Sequence, residues 1–149
     1  MKFLKLSVIA IFFLSLLIAA CAQPEVESEA AIETAQEDSD RLAVVWTSGE
    51  KDVAIKMVFM YVDNGKRQGW WDEIQLIVWG PSSKLLSEDK DIQDYVKRMM
   101  TNGVEIVACK ACADSYGVSD KLTELGLEVK YMGKPLTDLI KSDWHVVTF

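Results

Sequence analysis

Between residues 41 and 149 five short apolar runs recur, spaced to leave a helical segment between each pair: RLAVVWT (41–47), IQLIVWG (74–80), VEIVAC (104–109), LEVKYM (127–132) and WHVVTF (144–149). Runs of this length, rich in β-branched and aromatic residues, read as strands, and the first three are apolar enough to be buried on both faces. Helical signals fill the intervals. Ile92, Tyr95, Val96, Met99 and Met100 recur on one helical face, and Asn102-Gly103 supplies a stop. Ser48 or Asp52 can cap a helix reaching about Val62, Pro81 suits the first turn of the next, and Pro135 does the same ahead of Leu136, Leu139 and Ile140. The segment KMVFMYV (56–62) is apolar almost all round, which predicts a core helix. Strand and helix alternating in this way predict an α/β domain in three layers, α/β/α, with a five-stranded, mainly parallel sheet and right-handed crossovers.

The chain before residue 41 has a different character. Lys2 and Lys5 mark a charged start, residues 8–17 are almost wholly apolar, and Ile18-Ala19-Ala20 places small residues ahead of Cys21. That is the order of an export signal, and its apolar run is too short for a convincing spanning helix. The cysteine directly after the small residues makes the stretch resemble a bacterial lipoprotein signal. The resemblance implies removal of residues 1–20, a lipid on Cys21 and a chain held to a membrane on the periplasmic face of the cell envelope. Ala22 after the cysteine favours the outer membrane if the source is Gram-negative. Residues 22–40 hold seven acidic side chains and no Lys or Arg. So few bulky residues cannot offset the entropy of ordering, and 21–40 reads as the lipidated cysteine followed by an acidic flexible tether. These acids supply most of the formal charge of -7. The 41–149 domain is left near balance, without the basic patch that nucleic acid requires.

Ligand sites in parallel α/β sheets lie beyond the carboxyl ends of the strands. TSGEKD (47–52), GPSSK (80–84) and CKACADSYG (109–117) therefore share one edge. The third holds Cys109 and Cys112. A thiol between a strand end and a following turn or helix meets unpaired backbone N–H groups that favour thiolate, and Lys110 adds a positive charge. Several readings of this C-x-x-C pair stay open: a dithiol/disulfide couple, a nucleophilic sulfur with a neighbour, or two cysteines packed as small apolar groups. As metal ligands they are two of the four a structural zinc needs, and the one further strong candidate is His145. His145 itself reads as an ordinary strand residue near a sheet edge, and neither a metal nor another cofactor is expected. Thr47, Ser48 and Gly49 offer either N–H groups for a small anion or a capped helix start. Trp70-Trp71 reads as a lid over the core or a subunit contact.

The succession of a strand, VACKACADSYGV, the short helix SDKLTELG, LEVKYMG and a closing WHVVTF resembles the DsrE/DsrF-like (YchN-type) family of sulfur-relay proteins, over the whole of 41–149. The resemblance implies that family's fold, with flavodoxin-like layering, and a homo-oligomer, trimer or hexamer. It also implies a sulfur-accepting cysteine eight residues before a glycine, and counting back from Gly117 gives Cys109. Cys112 stands where some members carry a second cysteine, and Tyr116 stands where many have Arg. The implied chemistry is persulfide carriage: Cys109 takes sulfane sulfur from a small donor or a partner protein thiol. Cys112 can then attack the persulfide, release sulfide and leave a disulfide. The rival reading from a different class is a non-catalytic binding or assembly module on the same fold.

Overall fold

The computed structural model describes residues 40–149. The expected signal segment, Cys21 and residues 21–39 of the expected tether lie outside the described residues.

Among the described residues five strands form, β1 (Arg41–Trp46), β2 (Glu73–Val78), β3 (Glu105–Cys109), β4 (Glu128–Lys130) and β5 (His145–Thr148). They make one sheet in the order β4-β3-β2-β1-β5. Every neighbouring pair is parallel, so the mainly parallel sheet of the sequence reading is wholly parallel. The register sets Val44 of β1 opposite Leu76 of β2, and Leu76 opposite Ile106 of β3. Because strand side chains alternate, this row lies on one face with Leu42, Trp46, Ile74 and Val78, while Ala43, Val45, Ile77, Val107 and Cys109 lie on the other.

The connections decide which helices cover which face. From β1 to β4 the chain steps outward one strand at a time, so right-handed crossovers put all the intervening helices on the first face. Helix α1 is continuous through Lys51–Val53, a π-helical Ala54–Phe59 and Met60–Arg67. It is followed by α2 (Pro81–Glu88), α3 (Lys90–Thr101), α4 (Lys110–Ser115) and α5 (Ser119–Glu124). The step from β4 to β5 reverses direction across the sheet, and the same handedness sends α6 (Gly133–Lys141) to the second face. Its Leu136 and Leu139 pack there against the cluster that contains Cys109 and Met132.

Helix α1 departs from its sequence reading in three ways. Its N-cap is Glu50, without a side-chain cap bond. Ser48 Oγ accepts from the Glu50 N–H (3.1 Å), outside the helix, and Asp52 lies in the first turn paired with Lys56 (2.9 Å). The helix also runs beyond Val62 to Arg67. Gly65 belongs inside it because Trp71 packs so closely that a Cβ would stand 3.2 Å from the indole Cδ1. Finally, KMVFMYV is not buried all round. Val58, Phe59 and Val62 enter the core, whereas Met57 and Met60 are 50% and 52% exposed. The tryptophan pair divides similarly: Trp71 packs on the core and donates Nε1–H to Tyr61 Oη (3.3 Å), and Trp70 is exposed. His145 lies on edge strand β5, its ring 5.2 Å from that of Trp71.

Candidate functional site

Cys109 ends β3 on the second face of the sheet, packed with Ala43, Val45, Ile77, Val107 and Met132 and only 3% exposed. The same residue is the N-cap of α4, with extended backbone and no side-chain cap bond. One turn into α4, Cys112 is half-buried and packs against the same cluster beside Trp79. Both are free thiols. The inner thiol is thus Cys109 and the outer one Cys112.

Burial pushes the Cys112 thiol above the ordinary cysteine value, the hydrogen bond with Cys109 raises it further, and the backbone N–H of Gly80 opposes both. At Cys112 burial acts against the activation that this edge of the sheet is expected to give. Nor does Lys110 supply its charge there. Lys110 Nζ is held by Asp114 (2.9 Å to each carboxylate oxygen) and stands 5.9 Å from the Tyr131 ring centroid.

Two loops from the neighbouring strands complete this edge. After β1, Thr47 donates its hydroxyl to the Phe149 carbonyl (2.6 Å) and Ser48 is engaged with the Glu50 N–H. Gly49 lets α2 approach: a Cβ there would meet Pro81 Cβ at 3.2 Å. Gly49, Pro81, Lys84, Glu88 and Tyr116 line a cavity of about 270 Å³ that neither cysteine enters. The structure thus commits the Thr47 and Ser48 hydroxyls to the chain's own backbone and brings the two cysteines together. Among the described residues no group of three or more His, Cys, Asp and Glu side chains is arranged to hold a metal ion.

After β2 the turn from Trp79 to Ser82 supplies parts that the motif did not reveal. The Trp79 N–H donates to the Trp46 carbonyl (3.0 Å) and to Ser82 Oγ (3.0 Å), and Ser82 donates its hydroxyl to the same Trp46 carbonyl (2.6 Å). Gly80, between them, has φ 67°, and its carbonyl accepts the Ser83 N–H (3.0 Å) in the first turn of α2. The Gly-Pro pair is a turn signal in the sequence, but a turn signal does not say which carbonyl the following serine will meet.

Fold and site together define a parallel three-layer α/β protein with a dithiol at the carboxyl edge of its sheet. Residues 53–149 match the sequence profile of the DsrE/DsrF-like family, and the chain belongs to that family, which is of the sulfur-relay type. Among solved structures it is similar to a conserved protein of unknown function from Bacteroides thetaiotaomicron, at 38% identity and a TM-score of 0.72, covering 74% of this chain and 95% of that one. It is also similar in fold to the ychN protein from E. coli, at 16% identity and a TM-score of 0.52, covering 73% of this chain and 99% of that one. No curated protein sequence matches it.

Proposed function

We propose that this chain carries sulfane sulfur on Cys109 and that Cys112 resolves the persulfide. The observation that carries the reading is the pair of free thiols, the inner one buried and the outer one half-buried, packed in one apolar cluster at the end of β3. In loading, the Cys109 thiolate attacks the outer sulfur of a persulfide or polysulfide donor; the donor's S–S bond breaks and the donor leaves as thiolate. The apolar wall of Val107, Ile77 and Met132 then limits access of water to the stored sulfur. An acceptor thiolate can take the outer sulfur and restore Cys109. Alternatively the Cys112 thiolate attacks Cys109 Sγ, hydrosulfide leaves with the bonding pair, and a Cys109–Cys112 disulfide remains until an external thiol reduces it.

The placement of both thiols in one cluster also favours a second reading, a simple dithiol/disulfide couple without sulfur cargo. Sulfide measurement separates the two. After loading with polysulfide and removal of excess, the carrier reading expects about one equivalent of sulfide per chain as the disulfide forms, and none from Cys112→Ser. Disulfide formation under mild oxidant with no sulfide from the loaded wild-type chain supports the couple instead.

A lipid anchor on Cys21, an envelope location and a trimer or hexamer belong to the same proposal. Support for the anchor is the charged, apolar, small-residue and cysteine order of residues 1–21. Support for assembly is the apolar surface left at Met57, Met60 and Trp70.

A further inference from the structure

We infer that the cleft between α6 and the β4 side of the sheet binds a small zwitterionic persulfide, a molecule of free-amino-acid type, and presents its sulfur to Cys109. The inference rests on the sulfur-carrying reading and adds to it a donor class and residues outside the cysteine motif.

The cleft has a volume of about 360 Å³, and its walls include Gln75 of β2, Lys130 of β4, Met132, and Asp138, Leu139 and Ser142 on or just after α6. β2 and β4 flank β3 and stand about 10 Å apart, two strand spacings. A cleft lined from both strands therefore crosses β3, on the face where Val107 and Cys109 stand. Lys130 is level with Cys109 in the register. Met132 and Leu139 line the cleft and also pack in the apolar cluster that holds Cys109. Cleft and inner thiol thus share an apolar wall, and an unbranched thioether such as Met132 can change rotamer to admit a sulfur atom.

The polar part of the wall says what fits. Gln75 lies on a central strand, level with Ala43 of β1 and two residues before the buried Ile77. It is half-buried, and its side-chain amide has no hydrogen-bond partner among the described residues, which leaves donors and an acceptor for a guest. Lys130 and Asp138 bring one charge of each sign. Each is paired with an exposed chain neighbour, Lys130 with Glu128 (2.6 Å) and Asp138 with Lys134 (2.5 Å). Exposed pairs of this kind are worth little, so a ligand's carboxylate and ammonium can take the neighbours' places. With Glu128 and Lys134 counted the charges cancel, and the cleft has no excess of positive charge to draw in a dianion such as thiosulfate.

The charged head of the donor then lies between Lys130 and Asp138, with its sulfur tail against Met132 and Leu139. The Cys109 thiolate attacks the outer sulfur, an S–S bond forms to Cys109, and the donor's own S–S bond breaks. The donor leaves as a thiolate that takes a proton from solvent, and no further oxidant or reductant is consumed.

Two measurements on the full chain test this. Calorimetry follows binding of S-methylcysteine, an unreactive zwitterion of the right size. Mass spectrometry gives the donor concentration that half-saturates sulfur loading of Cys109, from cysteine persulfide and separately from inorganic polysulfide. Both are repeated with Gln75→Leu, Lys130→Gln and Asp138→Asn, and circular dichroism checks folding. Each variant should weaken S-methylcysteine binding and raise the half-saturating cysteine persulfide concentration about tenfold, the loss of one hydrogen bond to a charged group. The polysulfide value should move by less. If Gln75→Leu fails to fold, the two surface variants decide. No binding of S-methylcysteine to the wild-type chain, or values that stay put or move equally for both donors, overturn the cleft as donor site while normal polysulfide loading leaves the carrier standing. A chain that binds S-methylcysteine but accepts sulfur on Cys109 from neither donor overturns the carrier, and with it the donor role of the cleft.

Discussion

At Cys112 burial and the Cys109 thiol outweigh the Gly80 N–H, so the folded protein holds that proton more tightly than the unfolded chain does. The sign of the linkage follows. Above about pH 8.5, where an unfolded cysteine ionises, the unfolded state binds fewer protons and stability falls until the raised folded value is passed. Urea midpoints should therefore decline with pH through this alkaline window, and Cys112→Ser should flatten the decline; an equally steep curve in the variant would show that Cys112 is not its source. Cys109 and Cys112 were legible from spacing alone, since C-x-x-C at a strand end is a pattern. The bonds made by Ser82 were not. Ser82 acts on Trp46, 36 residues earlier in the chain, and a small hydroxyl after a Gly-Pro turn carries no periodic signal of what it will meet.

Among the elements, the strands were read correctly because their apolar runs are short and closed by polar or glycine residues, and the helices less so where tertiary contact overrides the local signal. Asn64-Gly65 looks like a stop, yet α1 passes through it to bring Gly65 under Trp71. Apolarity of KMVFMYV did not decide burial, because only one side of the helix meets the sheet. The break between α2 and α3 went unread, although Asp89 marks it by accepting the N–H groups of Asp91 (3.0 Å) and Ile92 (3.2 Å). Lys51 first, and the Ile92 N–H second, hold the Asp89 carboxyl below the usual aspartate value. The stabilisation is therefore complete above the ordinary carboxylate range and is lost as pH falls through the lowered value. Asp89→Ala should lower the urea midpoint at neutral pH and make its acid-side decline shallower. A parallel downward shift with the slope unchanged would mean that the carboxylate contributes as a cap without this titration.

For the molecule as a whole, the reversal between β4 and β5 leaves the two faces unequal. The first carries five helices over a continuous core, the second carries α6, in which no residue is fully buried. Native-state hydrogen exchange should find β1 and β2 protected to the level of global unfolding and α6 and β5 opening at lower cost; equal protection throughout would contradict this division. The thiols lie at the carboxyl edge of the thin face. Mass-spectrometric mapping of the polysulfide-treated chain, comparing wild type with Cys109→Ser and Cys112→Ser, tests the carrier most directly. One added sulfur atom on the peptide holding Cys109, abolished by Cys109→Ser and longer-lived in Cys112→Ser, is the expected result. Sulfur that loads equally well without Cys109, or never loads at all, would contradict it.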